Sequence, residues 1–247
     1  MNPCRSASPL ARSIALIALL LMVLSGCVKV PQFTDKPFTA DRAEFFRTVK
    51  VIALAPMSLT NLKQADRIRA SFEADLTEQL KGLGFTVLPS DKFGSLWDSL
   101  SKQEGGLYDP ATGKRNDDKV KEIRKRVVTE LAAQQQFDAV LRPSIFVSAA
   151  RFSGCTARWN GVEQSIGSCS LSGRISVLSL LVRIENKEGN VLFRNAGGIQ
   201  PNVRLKTGFF QSPQFEDLEE EFILYDPERN RVAVATALAP FVRKPGE

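Results

Sequence analysis

Histidine is absent from this chain of 247 residues, and that fact removes much of the side-chain chemistry open to a protein of its size. Without imidazole there is no Ser-His or Cys-His nucleophile and no His-ligated metal. Carboxylates, four cysteines and a glycine-containing loop remain. Glu216, Asp217, Glu219, Glu220 and Glu221 offer oxygen ligands to a hard cation. Consecutive carboxylates on a helix point in several directions, however, and no calcium-loop glycine stands among them, so a solvated acidic helix is the expectation. Gly106 to Gly113-Lys114 resembles a phosphate loop only superficially: six residues separate the glycines, Arg115 replaces the required Ser or Thr, and no strand leads into it. Carboxylate pairs for glycoside hydrolysis are distant in sequence and leave no spacing to read. Enzymatic activity, a cofactor and a metal are therefore not expected.

The remaining candidate chemistry lies in the cysteines, beginning with Cys27. Arg5 and Arg12 precede an uninterrupted apolar run from Ile14 to Val23, which ends in Leu24-Ser25-Gly26-Cys27. A positive segment, a short apolar run and small residues make a secretory signal. The run is about ten residues, half of the roughly 20 that a membrane-spanning helix needs. Leu24-Ser25-Gly26-Cys27 resembles the lipobox of bacterial lipoproteins. The resemblance implies that the Cys27 thiol takes a diacylglycerol, that cleavage follows Gly26, and that the new amino group is acylated. Each buried acyl methylene contributes about 0.8 kcal/mol, so two or three chains anchor a protein durably without a spanning helix. Val28, where an inner-membrane lipoprotein often carries Asp, favours the outer membrane, with the protein facing the periplasm.

These readings divide the chain into a cleaved signal at 1–26, a lipid anchor and tether at 27–47, and one domain at 48–247. Loss of the signal leaves 247 − 26 = 221 residues, enough for one core. It also removes two arginines, lowering the formal charge from +6 to +4, too little for the basic stripe of a nucleic-acid binder. With Cys4 discarded and Cys27 acylated, Cys155 and Cys169 form the pair expected to make one disulfide in an oxidising compartment.

The elements that must position these groups follow from periodicity. Val49 to Ala55 is a β-branched run closed by Pro56, which predicts a buried strand. Ile68, Phe72, Leu76, Leu80 and Leu83 predict a helix, and Phe85 to Leu88 a second strand, together a βαβ unit with parallel strands. Ser90-Asp91 is expected to cap a short helix through Leu100, and Asp117 a longer one with Val120, Ile123, Val127 and Leu131 inward. Lys119, Lys121, Arg124, Lys125 and Arg126 cover the rest of that helix. A solvated face is the main reading of these cations, and an anionic-partner or phospholipid patch the lesser one. Phe137 to Phe152 predicts strand around Pro143, which should lie near an edge or bulge.

Asn160-Gly161 between β-formers predicts a two-residue hairpin turn with Trp159 facing Val162 and Arg158 facing Glu163. That register makes a Cys155–Cys169 bridge feasible. Trp159 at the hairpin tip is either cross-strand packing or an exposed partner contact, with packing favoured. Phe209 and Phe210 after Gly208 pose the same alternative. Ile175 to Ile184 predicts a central strand and Val191 to Phe193 its short partner, interrupted at Arg194 and Asn195. Gly197 to Pro213 reads as irregular, and Asp226-Pro227 starts a final helix.

Together these segments give an α/β (α+β) fold: a mixed sheet of five or more strands flanked by helices, with an added hairpin. The sequence from Val51-Ile-Ala-Leu-Ala-Pro56 through Gly84-Phe-Thr-Val-Leu88 to Phe137-Asp-Ala-Val-Leu-Arg-Pro143 resembles the α/β domain of several envelope lipoproteins. These are the curli-secretion lipoprotein, activators of penicillin-binding proteins, and the amino-terminal domain of the Tol translocation protein. The resemblance implies a role in binding other envelope proteins; with the lipobox, the absent histidine and the lack of a catalytic motif, the expectation is a non-enzymatic adaptor or assembly factor. Its alternatives are a homo-oligomeric secretion component resembling the curli pore and a carboxylate-dependent cell-wall hydrolase.

Overall fold

A computed structural model describes residues 36–39, 41–57, 59, 64–167, 172–208 and 211–242. Strand β1 (Val51–Leu54) lies between β2 (Thr86–Leu88) and β3 (Ala139–Ser153) and runs parallel to both, with Ile52 beside Val87 on one side and Ala139 on the other. Helix α2 (Ala65–Gly82) makes the crossover from β1 to β2, as the βαβ pattern predicts. Helix α1 (Arg42–Thr48) precedes β1, while α3 (Ser90–Gln103) and α4 (Asp117–Gln134) connect β2 to β3.

Beyond β3 the sheet becomes antiparallel. The fifteen residues of β3 pair throughout with β6 (Ser172–Asn186), and β6 pairs with β7 (Val191–Pro201). At its far end β3 passes into the hairpin β4 (Thr156–Trp159) and β5 (Val162–Ser165), which completes a seven-stranded mixed sheet. A separate two-stranded sheet, β8 (Val203–Gly208) with β9 (Gln211–Asp217), precedes α5 (Pro227–Leu238). The expected α/β class, with a mixed sheet and an added hairpin, is the class observed.

Each face of the sheet has its own core. On one face Ile52, Leu54, Leu141, Leu180, Val182 and Ile184 meet α2 through Phe72, Leu76 and Leu80, and α5 through Val234 and Leu238. On the other, Ala53, Ala55 and Val140 meet Phe93 and Leu100 of α3 and Ile123, Val127 and Leu131 of α4. A third cluster, with Phe152, Trp159, Ile166, Ile175 and Val177, fills the space between the far end of β3–β6 and the hairpins.

Several expectations need correction. The segment before residue 48 is not all tether: Phe38 bridges to Phe193, and Phe45 is buried on α1. Phe38, Phe45, Phe46, Phe85, Phe193 and Phe241 interlock in edge and stacked contacts, with the Phe193 and Phe241 centroids 4.3 Å apart. Those partners are distant in sequence, so no local period marks them. Asn116 rather than Asp117 caps α4, its side chain accepting from Lys119 N at 3.0 Å, and Pro89 occupies the cap position of α3 with no side-chain bond.

Glycines and prolines misled elsewhere. Strand β7 runs through Arg194, Asn195, Gly197 and Gly198 where a break was expected, because both glycines are sites of close approach. A Cβ on Gly197 would strike the Ala233 carbonyl of α5, and one on Gly198 would meet Trp159. Residues 203–208 and 211–217 form a hairpin rather than irregular chain, and Glu216 and Asp217 end a strand, so the acidic run is helical only in the single 3-10 turn Glu220–Phe222. Pro143 fits its expected edge. Leu141 accepts from Ala55 N at 2.9 Å, and strand alternation turns the Pro143 nitrogen to the same side, past the end of β1 where no donor is needed.

Candidate functional site

Of the predicted contact and modification residues, Cys155 and Trp159 are described, at the two ends of β4. Cys27, Cys169, Phe209 and Phe210 lie outside the described residues. Cys155 occupies the turn from β3 to β4, where its carbonyl accepts from Ile166 N at 2.9 Å, and it is not a free thiol. The hairpin has the predicted register, Trp159 beside Val162 and Arg158 beside Glu163, around a turn with φ 41° at Asn160 and 78° at Gly161. Trp159 is not an exposed contact. It is 7% exposed, and its Nε1 donates to the Leu178 carbonyl at 3.2 Å, while Asn160 Nδ2 donates to Ser179 Oγ at 2.8 Å. The hairpin thus crosses from β3 over β6, and the indole helps secure it there.

Two carboxylates of the acidic run, Glu216 and Glu219, share Arg204. Glu216 accepts from Arg204 Nε at 2.6 Å and Lys206 Nζ at 3.1 Å, and Glu219 pairs with Arg204 at 2.8 Å. The Arg204 hydrogen bond is the main cause that holds the Glu216 carboxyl below its ordinary range. Among the described residues no group of three or more potential ligands could hold a metal ion. A cleft of about 490 Å³ opens between β5, β8–β9 and the approach to α5, lined in part by Ile166, Phe215, Leu218, Phe222 and Tyr225.

The strongest concentration of unusual chemistry lies on the sheet itself. Arg142 of β3 stands directly opposite Arg183 of β6, and Arg183 directly opposite Arg194 of β7. Three arginines therefore occupy one cross-strand row, an arrangement in which like charges normally destabilise a sheet. Val140, two residues before Arg142 and thus on the same face, is covered by the α3–α4 layer. The row consequently lies at the margin of that layer.

One buried carboxylate serves the row. Glu185, opposite Val140 and on the same face, has a side chain only 3% exposed. Arg142 Nε donates to its Oε2 at 2.8 Å, and the Arg183 guanidinium pairs with its Oε1. The helical layer adds two more features. Arg142 lies over the Phe93 ring of α3, 5.2 Å from its centroid, and Arg124 of α4 is half-buried near Glu185 and Arg183. Arg124 Nε is buried and has no hydrogen-bond partner among the described residues. Burial is the main cause lowering both the Arg124 and Arg142 guanidinium pKa from its ordinary value, with Glu185 acting in the opposite direction. Both remain cations at physiological pH, since arginine starts so high.

The sequence places Arg124 with the solvated face of α4, where its companions Lys121 and Arg126 are found in ion pairs. Lys121 pairs with Asp118 at 3.1 Å at an exposed site, and Arg126 pairs with Glu104 at 2.6 Å. Arg124 differs because it neighbours Ile123 on the edge of the buried stripe. Arg142, Arg183 and Glu185 were missed as a site, although a signal existed: charged residues inside apolar strands are rarely buried unless paired. The geometry can hold an oxyanion. Guanidinium groups present rigid forks of donors that match carboxylate or phosphate oxygens.

No family model and no curated protein matches this chain. Among solved structures it is similar to the PelC dodecamer from Paraburkholderia phytofirmans in space group P6, at 10% identity and a TM-score of 0.31, over 80% of this chain and 91% of that one. A single-substitution variant of the same dodecamer, in space group C2, is 11% identical with the same coverage and a TM-score of 0.31.

Proposed function

We propose that this protein is a lipid-anchored lipoprotein of the bacterial envelope, tethered to the outer membrane and facing the periplasm, that acts there as a non-enzymatic adaptor or assembly factor. The observation that carries the reading is Leu24-Ser25-Gly26-Cys27, in register behind a positive segment and a ten-residue apolar run. The lack of histidine supports the non-enzymatic part, since it removes imidazole from every catalytic arrangement. No described helix is long and apolar enough to cross a membrane, so within the described residues the anchor has no helical competitor.

The homo-oligomeric pore gains one supporting observation: β3 and β6, at fifteen residues each, exceed the roughly nine to eleven that a transmembrane strand needs. Their faces weigh against it, since one is covered by α2 and α5 and the other carries Arg142, Arg183 and Glu185. The lipoprotein reading is tested by intact mass and membrane fractionation of the chain expressed with its own signal, beside Cys27→Ser. A mass of residues 27–247 plus acyl chains, lost in the variant, supports it. An unlipidated soluble chain overturns it. Envelope cross-linking of the acylated protein then tests the adaptor role, which fails if only lipid and no protein is captured.

A further inference from the structure

We infer that Arg124, Arg142 and Arg183 form a binding site for a phosphate group carried as a dianion, with Glu185 as the internal counter-ion that holds two of the three guanidinium groups in place. The charge balance selects the ligand. Arg142 and Arg183 pair with Glu185, and Arg124, its Nε buried and unpartnered, lies within electrostatic range of Glu185 and Arg183, so three guanidinium cations share one carboxylate, an excess of two positive charges at a partly buried place. A carboxylate or phosphodiester would neutralise only one, whereas a phosphate monoester carries about −1.5 to −2 at pH 7. Arg194 extends the cross-strand row but is engaged by another group, so it is left out of this balance.

The donor geometry points the same way. Arg142 spends its Nε on Glu185 and leans over the Phe93 ring, which fixes the plane of its guanidinium. Arg183 forms an ion pair with the other carboxylate oxygen, which accepts no hydrogen bond among the described residues, and keeps 37% of its side chain exposed, so the site is open to solvent on its side. Arg124 approaches from α4 with a buried Nε that nothing among the described residues accepts from. A buried donor without a partner costs about 1–3 kcal/mol, and a ligand oxygen placed there would satisfy it. A solvated cationic face would orient its guanidinium groups toward water. Here Glu185, at 3% exposure, pairs with two of them at the margin of a packed layer, and the third reaches in from α4 with its Nε buried.

The phosphate could belong to a soluble ester or to a lipid headgroup, and the same chemistry serves both. The test uses the full chain purified in detergent, titrated with inorganic phosphate, glycerol 3-phosphate and the short-chain lipid dihexanoyl phosphatidic acid at matched ionic strength. Sodium acetate and sodium chloride serve as controls. Saturable binding of the phosphate compounds, with a thermal upshift that acetate and chloride do not give, is the expected result. Arg124→Gln should weaken that binding at least tenfold while leaving the ligand-free melting temperature unchanged or raised, because it relieves like-charge repulsion. Arg183→Gln is the second variant and should weaken binding similarly. Binding of dihexanoyl phosphatidic acid at least tenfold tighter than glycerol 3-phosphate assigns the lipid source, and equal affinity assigns the soluble one. Phosphate behaving like chloride, or unchanged binding by a folded Arg124→Gln chain, overturns the site.

Discussion

Arg142 Nε donates to Glu185 Oε2 at 2.8 Å across β3 and β6, and the glutamate that receives it is only 3% exposed. Breaking such a pair from one side leaves a buried charge, which typically costs about 3–5 kcal/mol. Arg142→Met should therefore lower unfolding stability by about 3 kcal/mol, at the low end because Arg183 still contacts Glu185. Replacing both Arg142 and Glu185 with apolar residues of similar volume should recover only part of the loss, because Arg183 and Arg124 then lack their counter-ion. Urea denaturation of the single and double variants measures this, and equal losses in both would contradict the assignment.

The approach of α5 to β7 depends on Gly197, whose missing side chain makes room for the Ala233 carbonyl. Gly197→Ala must push the helix away, and overpacking of this kind costs about 1–3 kcal/mol or more. Gly82, in the last turn of α2, has nothing within 4 Å of an added Cβ, so Gly82→Ala should be neutral or mildly stabilising by about 0.5 kcal/mol. Thermal unfolding of the two variants side by side checks the contrast.

Asp75 of α2 is buried against α5, and burial is the main cause raising its carboxyl above the ordinary value, only partly offset by Arg231 with its Nε 3.6 Å away. The folded state thus holds this proton to a higher pH than the unfolded chain does. Its contribution is fully present below the unfolded pKa and is lost as pH rises through the folded one. Asp75→Asn removes the group that must ionise, so the variant should melt above the parent at pH 7 and lose that advantage toward pH 3. A parent that is more stable than Asp75→Asn at pH 7 would refute the sign.

The hairpin supplies a redox prediction. If Cys155 is bridged to Cys169, neither thiol should react with iodoacetamide before reduction and both should react after it. Opening a loop of this size costs about 3 kcal/mol by the chain-entropy relation. Intact mass after alkylation, followed by denaturation with and without reductant, reads both quantities. Labelling of Cys169 in the unreduced folded protein would exclude the bridge.

Local pattern carried much of the fold. The stripe Ile68, Phe72, Leu76, Leu80 requires a helix buried on one side, and the βαβ order requires parallel β1 and β2; both are present. Asn160-Gly161 set the hairpin register through backbone conformations that those residues adopt readily. The same reasoning failed at Gly197-Gly198, because a glycine chosen for a neighbour's closeness looks identical in sequence to one chosen for a turn. It failed at Phe38 and Phe45 because their partners, Phe193 and Phe241, come from the other end of the domain.

The sequence by itself determined the absence of imidazole chemistry, the α/β class and the hairpin register, all properties of composition or of local pattern. Only the tertiary structure decided that Trp159 is packed rather than exposed, that Glu216 and Glu219 share Arg204, and that Arg124 approaches Arg142, Arg183 and Glu185. The physical reason is that charge and burial depend on distance in space. Arg142 and Arg183 are brought opposite each other by a fifteen-residue antiparallel register, and α4 adds Arg124 by packing its apolar stripe on the same sheet face.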